Sequence, residues 1–359
     1  MALGTTSNFK EEAAEKYQLT YNTLIKGLTS GPLLHVDETR ISMKTGNGFV
    51  WVFANMQQVV YIYNETREAT ILHTLLKDFT GVLVSDFYPA YEGVQCSQQK
   101  CLIHLIRDLN DDLLKHPFDE ELKWLTRAFA ELLRPMVETI DRHGLQSRFL
   151  KQHLSAVEKF YKRLQKLTPR SEVATKCKQR FEKNRDTLFT FLKHDGVPWN
   201  NNNAEHAVKA FATLRHVIKG VTSEAGLRDY LVLLSICETC NYQGLDFLDF
   251  LRSGETDIAA FADAQQKKCH WRNPGLLNPG YRRRIDVKEP SSSRTQTLAR
   301  HNRSGKLEGR AGRIRSRRIV SDGGLGERTE FIGSFNGRTR PEGGATRMGF
   351  RSMPTERGL

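Results

Sequence analysis

At 359 residues the chain has room for two domains and a sizeable core. No apolar run approaches the ~18 residues that span a bilayer, Met1–Ser7 lacks an apolar leader core, and six cysteines are too sparse for a disulfide framework. These features exclude a membrane protein and a disulfide scaffold, and a cytoplasmic protein with reduced thiols is expected. The net charge of +13 points to a polyanionic partner, but residues 270–359 hold 20 Lys+Arg against 8 Asp+Glu, while the rest is nearly neutral with 34 against 33.

In chain order, residues 9–27 read as a short helical segment. Strands follow at 34–43, 49–54 (Phe-Val-Trp-Val-Phe-Ala) and 59–63 (Val-Val-Tyr-Ile-Tyr), rich in β-branched and aromatic residues. Lys44-Thr45-Gly46-Asn47-Gly48 is turn chemistry and predicts an antiparallel hairpin. A helix is expected over 67–79, with Ile71, Leu75 and Phe79 at spacing four. Gly81–Ser85 reads as a buried parallel strand, and 100–106 as a further strand running into helix. This order describes an α/β mixed sheet and matches the start of a ribonuclease H-like fold.

From 105 to 195 the period turns helical. Leu122, Leu125, Phe129 and Leu132 share one face, and Leu150, Leu154, Val157, Tyr161 and Leu164 another. Pro135 and Pro169 punctuate this block, which reads as an all-helical insertion. Asn200–Asn203 cap a helix over 204–218, and a last long helix runs over 227–241. Beyond His270 lie 14 of the 27 glycines and runs such as Arg313-Ile314-Arg315-Ser316-Arg317-Arg318, a composition that predicts disorder. The expected organisation is a helical N-terminal segment at 1–32, the first part of the core at 33–104, the insertion at 105–195, the second part at 196–262, and a basic tail at 263–359.

Three acidic motifs carry the chemistry: His35-Val36-Asp37-Glu38-Thr39, Val84-Ser85-Asp86-Phe87-Tyr88 and Asn201-Asn202-Asn203-Ala204-Glu205. Asp37 and Glu38 are adjacent on a strand, so they point to opposite faces and only one can face a site. Asp86 ends a buried strand, where open α/β sheets place ligands. Glu205 sits in a first helical turn, with Lys209 one turn on along the same face. Converging carboxylates repel one another unless divalent cations neutralise them. Each residue also has an ordinary reading, as turn former or helix-dipole complement.

The segment from about Leu33 to Phe250 resembles the transposases of IS66-type insertion elements, a group of DDE transposases. The strings that carry the resemblance are the three acidic motifs together with Cys101-Leu102-Ile103-His104-Leu105-Ile106-Arg107-Asp108-Leu109 and Ser235-Ile236-Cys237-Glu238-Thr239-Cys240. The resemblance implies a ribonuclease H-like fold with a helical insertion before the last acid. It places the acidic triad, and the ligands of two Mg²⁺ or Mn²⁺ ions, on Asp37, Asp86 and Glu205. It also implies DNA strand cleavage and strand transfer, with transposon ends and target DNA as partners, companion proteins of the same element, and a homodimer. Family members are longer at the N-terminus, so a truncated copy is expected, with a tail read through from a foreign frame.

Around the triad, His104 and Arg107 follow the 100–106 strand and are candidates to touch substrate phosphate. Lys209, Arg215, Lys219 and Arg228 surround the Glu205 helix, either as a solvated basic face or as phosphate-positioning groups. Cys96, Cys101 and His104, or Cys237 with Cys240, could suggest a metal site, but core packing is the expected role of these thiols. Trp199 is expected to pack at the helix end. Two other readings stay open: an inactive remnant that binds DNA through its basic tail, and a ribonuclease H-like nuclease that hydrolyses without joining strands.

Overall fold

A computed structural model describes residues 3–44, 46–218 and 222–272, with side chains over 8–44, 46–216 and 222–266. These residues fall in one compact unit, Met1–Gly275. The tail expected to be disordered lies outside the described residues.

The sheet is built from β1 (Leu33–Met43), β2 (Gly46–Ala54), β3 (Val59–Asn64), β4 (Val82–Ser85) and β5 (Ser97–Lys100), in spatial order β3-β2-β1-β4-β5. β1 to β3 form an antiparallel meander, while β4 and β5 run parallel to β1. The hairpin is tighter than expected: Met43 already pairs with Gly46, so Gly46–Gly48 belong to strand rather than turn. β1 extends well past its pairing with β4, which stops at His35↔Val84. Continuing that register would bring Asp37 level with Asp86, where the parallel strands end and the sheet opens. Gly81 permits the entry of β4 beside β1, since a Cβ there would lie 2.7 Å from the Gly31 carbonyl oxygen.

Before the sheet come α1 (Leu3–Lys16) and α2 (Gln18–Thr29), a fuller helical segment than the sequence suggests. Between β3 and β4, α3 covers only Thr70–Leu75. The expected start at Arg67 fails because that residue is tied into the loop: its guanidinium Nε donates to Glu38 at 2.8 Å and its carbonyl accepts from the Tyr88 hydroxyl at 2.9 Å.

After β5 the chain turns at Cys101 directly into α4 (Leu102–Lys115), correcting the strand expected over 100–106. Leu102, Leu105 and Leu109 recur at helical spacing and are buried. α5 (Glu120–His143) runs straight through Pro135, which was expected to interrupt it. Its face of Leu122, Leu125, Phe129, Leu133 and Met136 is buried, and this burial offsets the roughly 3 kcal/mol cost of an interior proline. Short α6 (Ser147–Leu150), α7 (Leu154–Lys166), α8 (Glu172–Lys183) and short α9 (Arg185–Leu188) complete the block between β5 and the last helices.

α10 (Asn202–Ile218), α11 (Glu224–Gln243), α12 (Phe247–Ser253) and α13 (Ile258–Arg272) follow. Alternation along the strands splits the core in two. Leu34, Val36, Trp51, Phe53 and Val60 face a layer containing Leu24, Leu28, Leu72, Ile236 and Phe250. On the opposite side, Val50, Val52 and Tyr61 pack with Phe211, Leu227 and Leu231, while Val82 and Val84 pack with α4, α5, α7 and α8. α11 also closes the β3 edge: the Tyr61 and Val59 amides donate to Ser235 Oγ (3.0 Å) and Thr239 Oγ1 (3.1 Å). Both hydroxyl side chains are buried, so backbone donors on that edge are paired without a further strand.

Candidate active site

Asp37 lies on β1 on the same face as His35 and Thr39, opposite Glu38. The neighbouring acid is accounted for structurally. Glu38 has a 2% exposed side chain, is paired with Arg67, and accepts from the Tyr91 hydroxyl. Asp37 points to the α10 side. Its Oδ1 accepts the Glu38 amide at 2.8 Å. Burial pushes its carboxyl up from 3.8 to about 7, and the charges of Glu38, Asp86 and Glu205 add to the rise against the stabilising amide.

Asp86 follows β4 directly and is half-buried. Its Oδ1 accepts the Tyr88 amide at 2.8 Å, which fixes the turn into Pro89. Glu205 stands in the first turn of α10, where the helix N-terminus favours a carboxylate. Its Oε1 lies 3.9 Å from His104 Nδ1 and its Oε2 lies 3.7 Å from the Arg107 guanidinium. Neither Glu205 Oε1 nor His104 Nδ1 is exposed, and neither makes a hydrogen bond. Asp37 on β1 thus feels the charge of Asp86 at the end of β4 and of Glu205 at the start of α10. His104 and Arg107, both on α4, lie beside Glu205.

Of the remaining basic candidates, Lys209 is exposed on α10. Arg215 reaches back to β1, donating to Thr39 Oγ1 (3.0 Å) and the Arg40 carbonyl (2.9 Å), so it ties the helix to the strand. Lys219 lies outside the described residues. Arg228 pairs with Glu224 and lies over the Tyr63 ring. Trp199 packs partly against the helical core, and its carbonyl accepts the Leu102 amide at 2.9 Å.

Several residues around the site escaped sequence reasoning. Asn201 was read as part of a helix cap. It does precede α10, its carbonyl accepting the Glu205 amide at 3.1 Å, but its side chain is also a buried bracket: its Nδ2 donates to the Val36 carbonyl (2.9 Å), its Oδ1 meets His35 Nδ1 (2.9 Å), and its backbone amide donates to Cys101 Sγ (3.2 Å). Because Nδ2 is committed to a carbonyl, Oδ1 must accept, so His35 carries its proton on Nδ1. Burial pushes His35 down to about 4, which keeps the ring neutral. Lys100 is buried at the end of β5, donates to Ser85 Oγ at 3.1 Å, and lies 5.4 Å from the Tyr91 ring centre. Burial pushes its ammonium down to about 8, opposed by the charges of Asp86 and Glu92. A lysine closing a polar Ser-Gln-Gln strand gives no signal of burial in the sequence.

Cys101, expected as a packed strand residue, is the residue before α4, and its thiol sits at the site. Cys101, His104 and Glu205 present donor atoms within 4.8 Å of one another, a group able to hold a metal ion. No such group forms around Cys96 or around Cys237 and Cys240 among the described residues.

A family model described as "Transposase IS66 family" matches residues 2–229. The chain belongs to the IS66 transposase family. A protein of Sinorhizobium fredii (strain NBRC 101917 / NGR234), named uncharacterized protein y4qI, is 23% identical over 274 residues. That alignment covers 67% of this IS66-family chain and 50% of the relative, so the chain spans about half the length of the relative it matches. No helix among the described residues is long and apolar enough to cross a membrane.

Proposed function

We propose that this chain carries the catalytic centre of a DDE transposase, with Asp37, Asp86 and Glu205 as its acidic triad. The observation that carries this reading is the shared field of the three carboxylates: Asp86 and Glu205 both raise the Asp37 carboxyl, though they come from elements far apart in the chain. The strand order β3-β2-β1-β4-β5, with three antiparallel strands and then two parallel ones, supports a ribonuclease H-like core.

The donor set suits hard divalent cations. It offers carboxylate oxygens, one of them the buried and unbonded Oε1 of Glu205. Asp37, Asp86 and Glu205 would hold two Mg²⁺ or Mn²⁺ ions. Such ions, when bound, supply activation of an attacking oxygen and charge stabilisation of the leaving oxygen. The chain's own residues supply positioning. Asn201 and His35 lock the start of α10 to β1, so Glu205 is held beside the strand that bears Asp37. Lys100, through Ser85, fixes the end of β4 from which Asp86 projects. Arg107, whose side chain is 52% exposed, can meet a substrate phosphate beside Glu205.

The reaction is cleavage at a transposon end, which frees a 3′-hydroxyl, followed by attack of that hydroxyl on target DNA. A homodimer would pair two ends, with companion proteins of the element as further partners. The test is nicking and strand transfer on end-containing DNA with Mg²⁺. Activity is expected for the parent chain and lost in Asp86→Asn. Equal activity in that variant removes Asp86 from the mechanism, and nicking without joining indicates a nuclease. DNA binding that never leads to cleavage and vanishes on deletion of residues 270–359 indicates the non-catalytic reading.

A further inference from the structure

The thiol at the foot of α4 is not needed for the acid triad, yet it faces the same space. We propose that Cys101 Sγ, His104 Nδ1 and Glu205 Oε1 form a second, softer metal site selective for a borderline ion such as Zn²⁺. Three observations converge on it. The three donor atoms lie within 4.8 Å of one another. Two of them, His104 Nδ1 and Glu205 Oε1, are buried, unbonded and 3.9 Å apart, so each lacks a partner that a shared ligand would supply. The third, the Cys101 sulfur, is buried and receives the Asn201 amide at 3.2 Å, which ties it to the residue that opens the Glu205 helix.

Sulfur, imidazole and carboxylate together select zinc over magnesium, which takes oxygen ligands. Zinc bonds of about 2.0–2.3 Å would draw the His104 and Glu205 donors together by roughly half an ångström, a movement within reach of side-chain rotation. One thiolate and one carboxylate balance the dication, and the thiol proton leaves to solvent. Three protein ligands leave a fourth position open. On the reading of Glu205 proposed above, zinc held here withdraws Glu205 from the triad and so opposes chemistry that depends on hard ions.

The test uses the reduced, chelator-stripped full chain titrated with Co²⁺ as a spectroscopic substitute for zinc. A thiolate-to-cobalt charge-transfer band is expected to saturate at one equivalent and to disappear on addition of Zn²⁺. It should be lost in Cys101→Ser and retained in Cys237→Ser and Asp86→Asn. Should Cys101→Ser fail to fold by circular dichroism, His104→Gln decides, because it leaves the sulfur and its amide donors in place. A fall in cobalt affinity of at least tenfold in that variant supports the site, and a smaller change overturns it. Absence of the band in the folded parent, or its persistence in folded Cys101→Ser, also overturns it. Retention of cobalt binding in Asp86→Asn separates this result from the DNA-cleavage test, where the same variant is expected to be inactive.

Discussion

Asp37→Asn is the sharpest probe of the site, because it predicts a gain in stability from removing a central residue. In the metal-free fold the Asp37 carboxyl is raised from 3.8 to about 7, chiefly by burial and then by Glu38, Asp86 and Glu205. An acid whose folded value is raised binds more protons folded than unfolded across that interval, so stability falls as pH rises from about 4 to about 7. The size of the displacement corresponds to a ceiling of about 4 kcal/mol, fully present above about pH 7. Asparagine is close in shape, and its Oδ1 can keep the bond from the Glu38 amide, so the substitution removes the charge and little else. Urea unfolding in chelator should find the variant more stable by about 2–4 kcal/mol at about pH 8 and equal to the parent near pH 4. Added Mg²⁺ should stabilise the parent at about pH 8 and leave the variant unchanged. A parent and variant of equal stability at about pH 8, or a difference that does not vary with pH, would refute the argument that buried mutual repulsion shapes this site.

Lys100→Met should raise stability at neutral pH by about 1–3 kcal/mol, since the parent buries an ammonium whose value has fallen to about 8. A lowered lysine is a cost present in full below about pH 8 and relieved as pH rises towards 10.5, so the gain should shrink in alkaline solution, as urea unfolding can measure. Arg67→Met leaves the buried Glu38 with only the Tyr91 hydroxyl and should cost about 1–3 kcal/mol, discounted for the half-exposed arginine. Adding Glu38→Gln to Arg67→Met should recover part of that loss in thermal unfolding. Ser235→Ala orphans the Tyr61 amide on the β3 edge and should cost about 1–3 kcal/mol, with hydrogen exchange at that amide accelerating more than at Val60.

Much of this protein is readable from local chemistry. The alternation Val36, Asp37, Glu38 already states that only one of the two acids can face a site, and in the structure Glu38 turns to Arg67 and Tyr91 while Asp37 faces α10. An aspartate just past the apolar run Val82-Leu83-Val84 marks a strand end. Charge counting separates the nearly neutral residues 1–269 from the basic residues 270–359, because formal charge needs no coordinates. Where the sequence misled, a contact between distant residues decided. The expected helix at Arg67 was shortened by the pairing of that arginine with Glu38. The expected break at Pro135 was overridden because the apolar face of α5 is buried.

What tertiary structure alone decided is the convergence. The β1–β4 register, continued past its last pair His35↔Val84, would set Asp37 level with Asp86, and no periodicity in either segment encodes a register between strands some 50 residues apart. Asn201 meets His35 across 166 residues of chain, and this side-chain bracket, beyond the helix-cap position expected of the asparagine run, ties the start of α10 to β1. The burial of Lys100 and the placement of the Cys101 sulfur beside His104 and Glu205 have the same origin. A residue's type and spacing limit the chemistry it can perform, but its partners and its loss of solvent come from packing of elements that the sequence keeps far apart.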